Sequence, residues 1–548
     1  MEFEIPESLA NVLLGMIQSD SQLARRLNEH GVCHGKRVVP SRLFDATSLN
    51  ALYGLCKAAD ERELMFQMLA LDNIYSAPDA RKIPGLELLV PGLVAYLSRD
   101  AIDGWLYRRG KDGVLLPWLV HSMRHVVPAD GSPYVVIGLL ANTMQSASRE
   151  AAADPRLRRS GMTTAIMVDA DDIAGRSIPE LLAEHGFYKE CEDFKREYEA
   201  HAQRFRELQS RFGTQLVASH SAWIAAGGPA SNPRLECLPI KAGTTARCVN
   251  DEALLERRFE ASTEAGFWRD SGVSEGFDRV PLHCYLYLFH LDLHRNLWVH
   301  VQHLQDYRYQ PALRDKLVLP QAHRDLIDIL TAERNFLMED IVQGKSGGTT
   351  ILCKGAPGLG KTLTAEVYAE VVAKPLYRVH SGQLGVTAES VEANLSKILQ
   401  RAARWDSVLL LDEADVYIRR RDNDLQHNAI VAEFLRTLEY FNGLLFMTTN
   451  RIADIDDAIL SRCIAIIQYD TPTREDAVRL WKTLAAQFQA ELPDALVERL
   501  AQTYATASGR DIKELLKLTS KFCRSKQLPF SEDAFAQCAA FRSIGQQA

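Results

Sequence analysis

Thr349-Thr350-Ile351-Leu352-Cys353 runs through Lys354 into Gly355-Ala356-Pro357-Gly358-Leu359-Gly360-Lys361-Thr362, and the helix-forming stretch LTAEVYAEVVA follows from Leu363. The first segment reads as a short buried strand, and the second matches GxxxxGK[ST]. Strand, glycine loop and helix, in that order, are the context in which the pattern is a phosphate-binding loop. Gly355 and Gly360 let backbone N–H groups approach phosphates without a Cβ clash, and the helix N-terminus adds its positive dipole end. Lys361 is then placed to reach the β- and γ-phosphates of ATP, and the Thr362 hydroxyl to ligate Mg²⁺. Pro357, Gly358 and Leu363 complete the stretch expected to touch nucleotide.

About fifty residues on stands Ser407-Val408-Leu409-Leu410-Leu411-Asp412-Glu413. Four apolar residues in sequence suit a parallel strand buried on both faces. The acids sit at its C-terminal end, where open α/β sheets bind ligands. Asp412 is expected in the Mg²⁺ shell, and Glu413 to orient and polarise the attacking water. A solvated acidic pair capping the next helix is the weaker reading. Asp412-Glu413-Ala414-Asp415 spells the DEAD of one RNA-helicase group, but the segments after it do not look like a helicase's second lobe, and the match reads as coincidence. A third strand, Leu444-Leu445-Phe446-Met447-Thr448-Thr449, ends at Asn450, a polar tip suited to holding the lytic water opposite Glu413. Arg462, just past a short helical stretch, has no obvious partner nearby in sequence and reads as an arginine finger for a neighbouring copy. Such an arginine is worth roughly 10³–10⁵ in rate. Arg510, in Ser508-Gly509-Arg510-Asp511, begins a helix that is placed to touch nucleotide from a lid, or is an ordinary helix-surface arginine.

GAPGLGKT, LLLDEAD, MTTN and the Ser461-Arg462 pair, in that order and spacing, resemble an AAA+ ATPase module. KSGGTTILCKGAPGLGKTLTAEVYAEVVAKPLY, DEADVYIRRR, FLRTLEYFNGLLFMTTNR and SGRDIKELLKL are similar to a group in the AAA branch known mostly as uncharacterised ATPases of fungi and bacteria. The likeness covers about residues 305–525. It implies an α/β P-loop NTPase fold with a five-stranded parallel sheet and a C-terminal helical lid. It also implies ATP and Mg²⁺ as cofactors, nucleotide sites at the junctions between protomers, and a homo-oligomeric ring, usually a hexamer. Carried over by motif, Lys361 and Thr362 are Walker A, and Asp412 and Glu413 are Walker B. Asn450 is sensor 1, Arg462 the first arginine finger and Arg510 a sensor 2 position. His380, closing Leu376-Tyr377-Arg378-Val379, falls where the family often places a residue that restrains the catalytic glutamate.

Two departures from the family stand out. The pore-loop place reads Ser381-Gly382-Gln383-Leu384-Gly385-Val386-Thr387, with no aromatic residue, which puts aromatic-driven threading of a polypeptide in doubt. Ala465 stands where many relatives carry a second arginine. The triple Arg419-Arg420-Arg421 is the one compact basic cluster near the expected pore. A solvated loop or a set of salt bridges is preferred for it over a ring gripping nucleic acid.

Outward from this region the chain is less explicit. Its 548 residues suggest three or four domains. With 47% hydrophobic and 24% charged residues, it is neither a disordered chain, a collagen nor a bare coiled coil. The net charge of -8 argues against a chain-wide grip on nucleic acid. Ten scattered cysteines without a CxxC pair read as reduced thiols. The start lacks a secretory pattern, and no apolar run approaches the length of a membrane span, so a soluble, cytoplasmic protein without membrane contact is expected.

The expected organisation is a helical region over 1–85, an α+β region over 86–224 ending in a long amphipathic helix, a β-rich region over 235–320, the ATPase core over 321–470 and the lid over 471–548. LELLVPGLVAYL, GVLLPWLV and YVVIGLL read as β-rich runs. A helix is expected from about 178 to 212, with Phe187, Cys191, Phe194, Tyr198, Ala202 and Phe205 on one face. Its bulky aromatics favour packing on its own domain over a coiled partner contact. Ala225–Pro233 is the clearest linker candidate. Residues 284–290 and 298–301 read as a hairpin about a turn at 292–296. Five histidines crowd there (His283, His290, His294, His300 and His303), but they lack a thiolate or carboxylate framework, and His300 and His303 point to opposite faces of a strand.

The leading functional expectation is an ATP-driven remodeller whose N-terminal half recruits a protein client. A nucleic-acid-dependent motor or sensor, for example in genome defence, and an ATP-controlled assembly scaffold without threading are the alternatives.

Overall fold

The computed structural model describes the chain apart from residues 1, 29–31, 34, 41–42, 60, 62–63, 66–67, 69–81, 84, 145–160, 227–233, 242, 256, 258, 264–265, 272, 274–276, 333–347, 422, 440 and 543–548. The five-stranded parallel sheet lies in the C-terminal part, in the order Leu376–His380, Val408–Asp412, Leu444–Thr449, Thr349–Gly355 and Ala465–Tyr469. Every residue of Val408–Asp412 is buried, as a strand flanked on both sides and covered on both faces requires. Helices Lys361–Val371, Ala388–Arg404 and Leu425–Leu438 lie among the connections. Helices Arg474–Gln487, Asp494–Thr503, Gly509–Lys526 and Glu532–Ala540 close the chain around their own core of Trp481, Ile512, Leu516 and Phe535. This is the expected α/β P-loop fold with its helical lid.

The N-terminal half is α+β, as expected, but several local readings need correction. The first 85 residues are not purely helical. Strands Glu2–Pro6, Val32–Cys33 and Lys36–Pro40 form a small antiparallel sheet beside helices Glu7–Leu14, Gln22–Asn28 and Ala46–Ala59. Phe3 and Ile5 are fully buried while Glu4 between them is exposed, a period of two hidden inside an acidic start. Most of LMFQMLALDNI lies outside the described residues.

LELLVPGLVAYL is a helix, Leu86–Ser98, not a strand. Its buried Leu86, Leu89, Leu93, Tyr96 and Leu97 recur at helical spacing, and the Gly and Pro in the run obscured that period. It packs against a five-stranded antiparallel sheet whose long members are Leu115–Val126, Tyr134–Asn142 and Gly161–Val168. The helix expected over 178–212 is two helices, Ile178–Glu184 and Glu192–Gln209, with strand Phe187–Lys189 between them. The aromatic stripe of the second helix is spent inside the chain. Tyr198 meets Trp105 at 5.1 Å and Phe194 meets Tyr107 at 5.3 Å between ring centroids.

Residues 225–233 do not separate domains. Strands Ser221–Ala226 and Arg234–Pro239 pair antiparallel with Ala226 opposite Arg234, so the stretch joins neighbours in one sheet; residues 227–233 lie outside the described set. Glycine, serine and proline serve a hairpin as readily as a linker. That seven-stranded sheet also contains the expected hairpin, Tyr285–His290 against Arg295–His300. The five histidines scatter over it. His283 and His300 are buried core residues, whereas the His290 ring accepts N–H groups of the turn residues Asp292 and Leu293. Among the described residues no group of three or more His, Cys, Asp or Glu is arranged to hold a metal ion.

The seven-stranded sheet docks directly on the parallel-sheet module. Asp251 is almost fully buried and accepts from Arg404 Nε (3.0 Å), Arg404 Nη2 (2.8 Å) and the Trp405 indole (2.8 Å). Phe289 packs on Trp405 and Tyr377, under the Arg401 guanidinium at 4.3 Å. At a second point, Tyr307 Oη (2.5 Å) and the Gln310 N–H (2.8 Å) donate to Glu370, at the far end of the helix that begins with Lys361.

Candidate functional site

The site is built at the C-terminal ends of three adjacent parallel strands. Strand Thr349–Gly355 leads into the glycine loop, and Gly360, with φ +98°, starts helix Lys361–Val371. Nothing stands within 4 Å of a Cβ built on Gly360, so open space lies above the helix start. Gly358, at φ +84°, has the opposite surroundings: a Cβ there would meet Ser508 Oγ at 2.6 Å and Arg510 Cβ at 3.0 Å. Pro357 and Leu363 are exposed on the loop and the first helical turn.

Lys361 folds back into the loop. Its Nζ donates to the carbonyls of Gly355 (2.8 Å) and Ala356 (2.7 Å) and to Asn450 Oδ1 (3.0 Å). Burial lowers its pKa, opposed by the nearby charges of Asp415 and Asp412 and reinforced by Arg510. The ammonium is thus held among neutral acceptors that anionic oxygens can replace. Asn450 is fixed in turn by its own N–H, which donates to Asp415 Oδ1 at 3.1 Å, an oxygen that also accepts from Thr449 Oγ1.

Asp412 receives three side chains. Oδ1 accepts from Thr362 Oγ1 (2.9 Å) and Thr448 Oγ1 (2.6 Å), and Oδ2 from Arg378 Nη2 (2.5 Å). Burial pushes this carboxyl upward, but the hydrogen bonds from Thr448, Thr362 and Arg378 outweigh it and hold the pKa below the usual aspartate value. Asp412 therefore stays an anion beside the loop. Its hydroxyl and carboxylate surroundings are a hard-oxygen set suited to a divalent cation. Glu413 lies exposed at φ +56°, in the left-handed region, with its N–H on Thr448 Oγ1 at 3.0 Å. A non-glycine residue there is costly and persists only where its surroundings hold it.

Other sequence-derived candidates fall nearby or apart. Arg510 reaches the loop through its backbone, N–H to Gly358 carbonyl at 3.1 Å. His380 ends its strand opposite Asp412, with its N–H on Gln383 Oε1, while the hydroxyl touching Glu413 is that of Thr448. Arg462 does have a partner in its own chain, contrary to the sequence reading. Nη2 lies 3.6 Å from Glu439 Oε2 and Nη1 donates to the Ala458 carbonyl at 3.2 Å. Glu439 is invisible to a local reading because it ends a separate helix. In the basic triple, Arg420 pairs with Asp457 (3.1 Å) and Arg421 with Asp456 (2.9 Å), so these charges are engaged within the chain. At the pore-loop place Leu384 is buried and Val386 is 87% exposed. Sequence reasoning missed Arg378, Thr448 and Asp415. Each stood in a strand or tetrapeptide already noticed, but only the sheet order shows that they face the loop.

Residues 351–471 match the sequence family described as ATPase family associated with various cellular activities (AAA). Over 186 residues the chain is 30% identical to the uncharacterized AAA family ATPase y4kL of Sinorhizobium fredii, covering 32% of this chain and 54% of that protein. Spastin of Sus scrofa is 25% identical over 217 residues, covering 38% of this chain and 33% of that protein. Among solved structures, a chain of the E. coli MS115-1 HORMA:CdnC:Trip13 complex is similar at 18% identity and a TM-score of 0.35, over 44% of this chain and 92% of that one. The chain spans about half, or less, of the length of these curated relatives. Among the described residues, no helix is long and apolar enough to cross a membrane.

Proposed function

We propose that this chain, an AAA+ ATPase by its residues 351–471, acts as a ring-forming ATP hydrolase that remodels a protein client engaged by its N-terminal half. The observation that carries the reading is the convergence of Lys361, at a helix start, with Asp412 and Asn450, at two strand ends, around one glycine loop. Lys361 exchanges the Gly355 and Ala356 carbonyls for the β- and γ-phosphates of ATP. Thr362 and Asp412 would hold Mg²⁺, which would supply neutralisation of phosphate charge. Glu413 orients the attacking water and takes its proton, while Asn450 holds that water from the other side. The water oxygen bonds to the γ-phosphorus, the bond to the bridging oxygen breaks, and ADP and inorganic phosphate leave. Arg462 acts across the junction between copies in a hexameric ring, after leaving Glu439. Arg510 contacts the nucleotide from the lid.

Remodelling is favoured by the way the N-terminal half is attached. Asp251 grips Arg404 and Trp405 at the end of helix Ala388–Arg404, and Tyr307 grips Glu370 on the Lys361 helix. Any rearrangement of those helices during turnover moves the seven-stranded sheet with them. A polynucleotide client is less favoured, since Arg420 and Arg421 are already paired. The free cysteines among the described residues suit a cytoplasmic location. The reading is tested by the ATPase rate of the full chain, alone and with unfolded protein, DNA or RNA at low salt. Phosphate release stimulated by protein supports it, and stimulation by polynucleotide alone overturns the client assignment.

A further inference from the structure

Arg378 is not explained by the needs of its strand. It lies in Leu376–His380, two residues before the end, with a side chain 41% exposed. A shorter or β-branched residue would serve that position as well. Its guanidinium instead turns toward the nucleotide loop. Nη2 is 2.5 Å from Asp412 Oδ2, and Nη1 is 3.6 Å from Glu366 Oε1 on the helix that begins with Lys361. Nε is buried without a hydrogen-bond partner, so the two carboxylates are what aim the group. Asp412 is 5% exposed, and a carboxylate so buried needs a counter-charge. Thr362 and Thr448 occupy its other oxygen but bring no charge.

We propose that Arg378 supplies the positive charge at Asp412 when no divalent cation is bound, so that nucleotide enters this site with little dependence on Mg²⁺. The proposal rests on the ATP-site reading above. Two effects act in the same direction. A fixed guanidinium beside the loop attracts phosphate oxygens without metal. An incoming Mg²⁺ must also compete with Arg378 for Asp412, which weakens the metal's own contribution. Arg378 is therefore a positioning residue that sets the order of loading: nucleotide first, metal second, with Arg378 freed from Asp412 by the metal.

The test is equilibrium binding of a fluorescent ATP analogue to the full chain, with Mg²⁺ and with a chelator, for the unaltered chain, Arg378→Gln and Arg378→Lys. Circular dichroism melts confirm that each variant is folded. In Arg378→Gln, the ratio of affinities with and without Mg²⁺ rises by about tenfold, the worth of one charge-assisted contact. The rise comes mainly from weaker metal-free binding, and half-saturating Mg²⁺ moves to lower concentration. Arg378→Lys keeps the charge without the fork, falls between, and carries the comparison if Arg378→Gln does not fold. A ratio unchanged within about twofold in both variants, with stability alone altered, makes Arg378 a structural ion pair and overturns the proposal. If the unaltered chain binds no analogue under either condition, the ATP-site reading itself is wrong, and the proposal falls with it.

Discussion

The backbone N–H of Arg510 donates to the carbonyl of Gly358 at 3.1 Å, so the first turn of a lid helix rests on the phosphate-binding loop. Gly358→Ala places a methyl group 2.6 Å from Ser508 Oγ at a backbone φ of +84°. The lid must lift or the loop must rotate. Calorimetric titration is expected to show ATP affinity reduced about tenfold, with destabilisation of roughly 1–2 kcal/mol from the left-handed strain. Arg510→Ala keeps the backbone contact and has a smaller effect on binding.

On the proposed function, variants of Lys361 and Glu413 are expected to separate binding from chemistry. Lys361→Ala removes the ammonium that the loop holds for the phosphates, and nucleotide binding is lost. Glu413→Gln keeps the site's shape, so the variant binds ATP but releases phosphate at least about 10²-fold more slowly. It is also expected to accumulate as the assembled ring in size-exclusion chromatography with ATP. Turnover near the normal rate in Glu413→Gln would remove this residue from the mechanism.

Arg462 rests on Glu439 at 3.6 Å, both side chains being substantially exposed, so the pair contributes little stability. Glu439→Ala is expected to leave melting unchanged and turnover undiminished, because it releases the arginine. Arg462→Ala is expected to abolish turnover, with activity partly restored in rings mixed with Lys361→Ala. If no mixing ratio restores phosphate release, Arg462 does not act across a junction.

Asp251 holds three donors from Arg404 and Trp405 in a buried corner. Asp251→Ala leaves the indole N–H and part of a guanidinium without acceptors, at a cost of about 2–4 kcal/mol. Chemical denaturation reads this loss. Because the corner joins the seven-stranded sheet to the ATPase module, the proposed remodelling predicts that the variant keeps basal hydrolysis and loses any stimulation by a protein client.

His283 is fully enclosed, with Nε2 on the Pro117 carbonyl (2.8 Å) and Nδ1 on Thr143 Oγ1 (3.0 Å), and burial pushes its pKa down to about 4. The unfolded chain protonates this ring near pH 6.5. Its folded pKa is lower, so the unfolded state binds more protons between the two values, and stability falls as pH drops from about 6.5 to about 4. The loss from this one group is on the order of 3 kcal/mol. Denaturation at stepped pH is expected to show a shallower acid limb in His283→Gln than in the parent.

The parallel sheet was readable because its signals are local. Val408-Leu409-Leu410-Leu411 is apolar on both faces, and the Gly355–Thr362 loop carries its geometry in contiguous residues. The N-terminal half was read less well, for a physical reason visible in particular segments. Leu86–Ser98 is apolar enough to pass for a strand, and its helical period appears only once the buried face is known. The Gly-Ser-Pro composition after Ala226 suits a linker, and nothing in it foretells that the flanking strands Ser221–Ala226 and Arg234–Pro239 pair in one sheet.

The order of residues along the chain was enough to single out the glycine loop, the paired acids and the polar strand tip as candidates, since each motif lies within a few positions. Packing alone chose the partners. Arg378 faces Asp412 across 34 positions, Lys361 meets Asn450 across 89, and Trp405 finds Asp251 across 154. A buried charge or N–H takes whichever complementary group the packed elements bring near it, and that choice has no periodicity or spacing for a linear reading to detect.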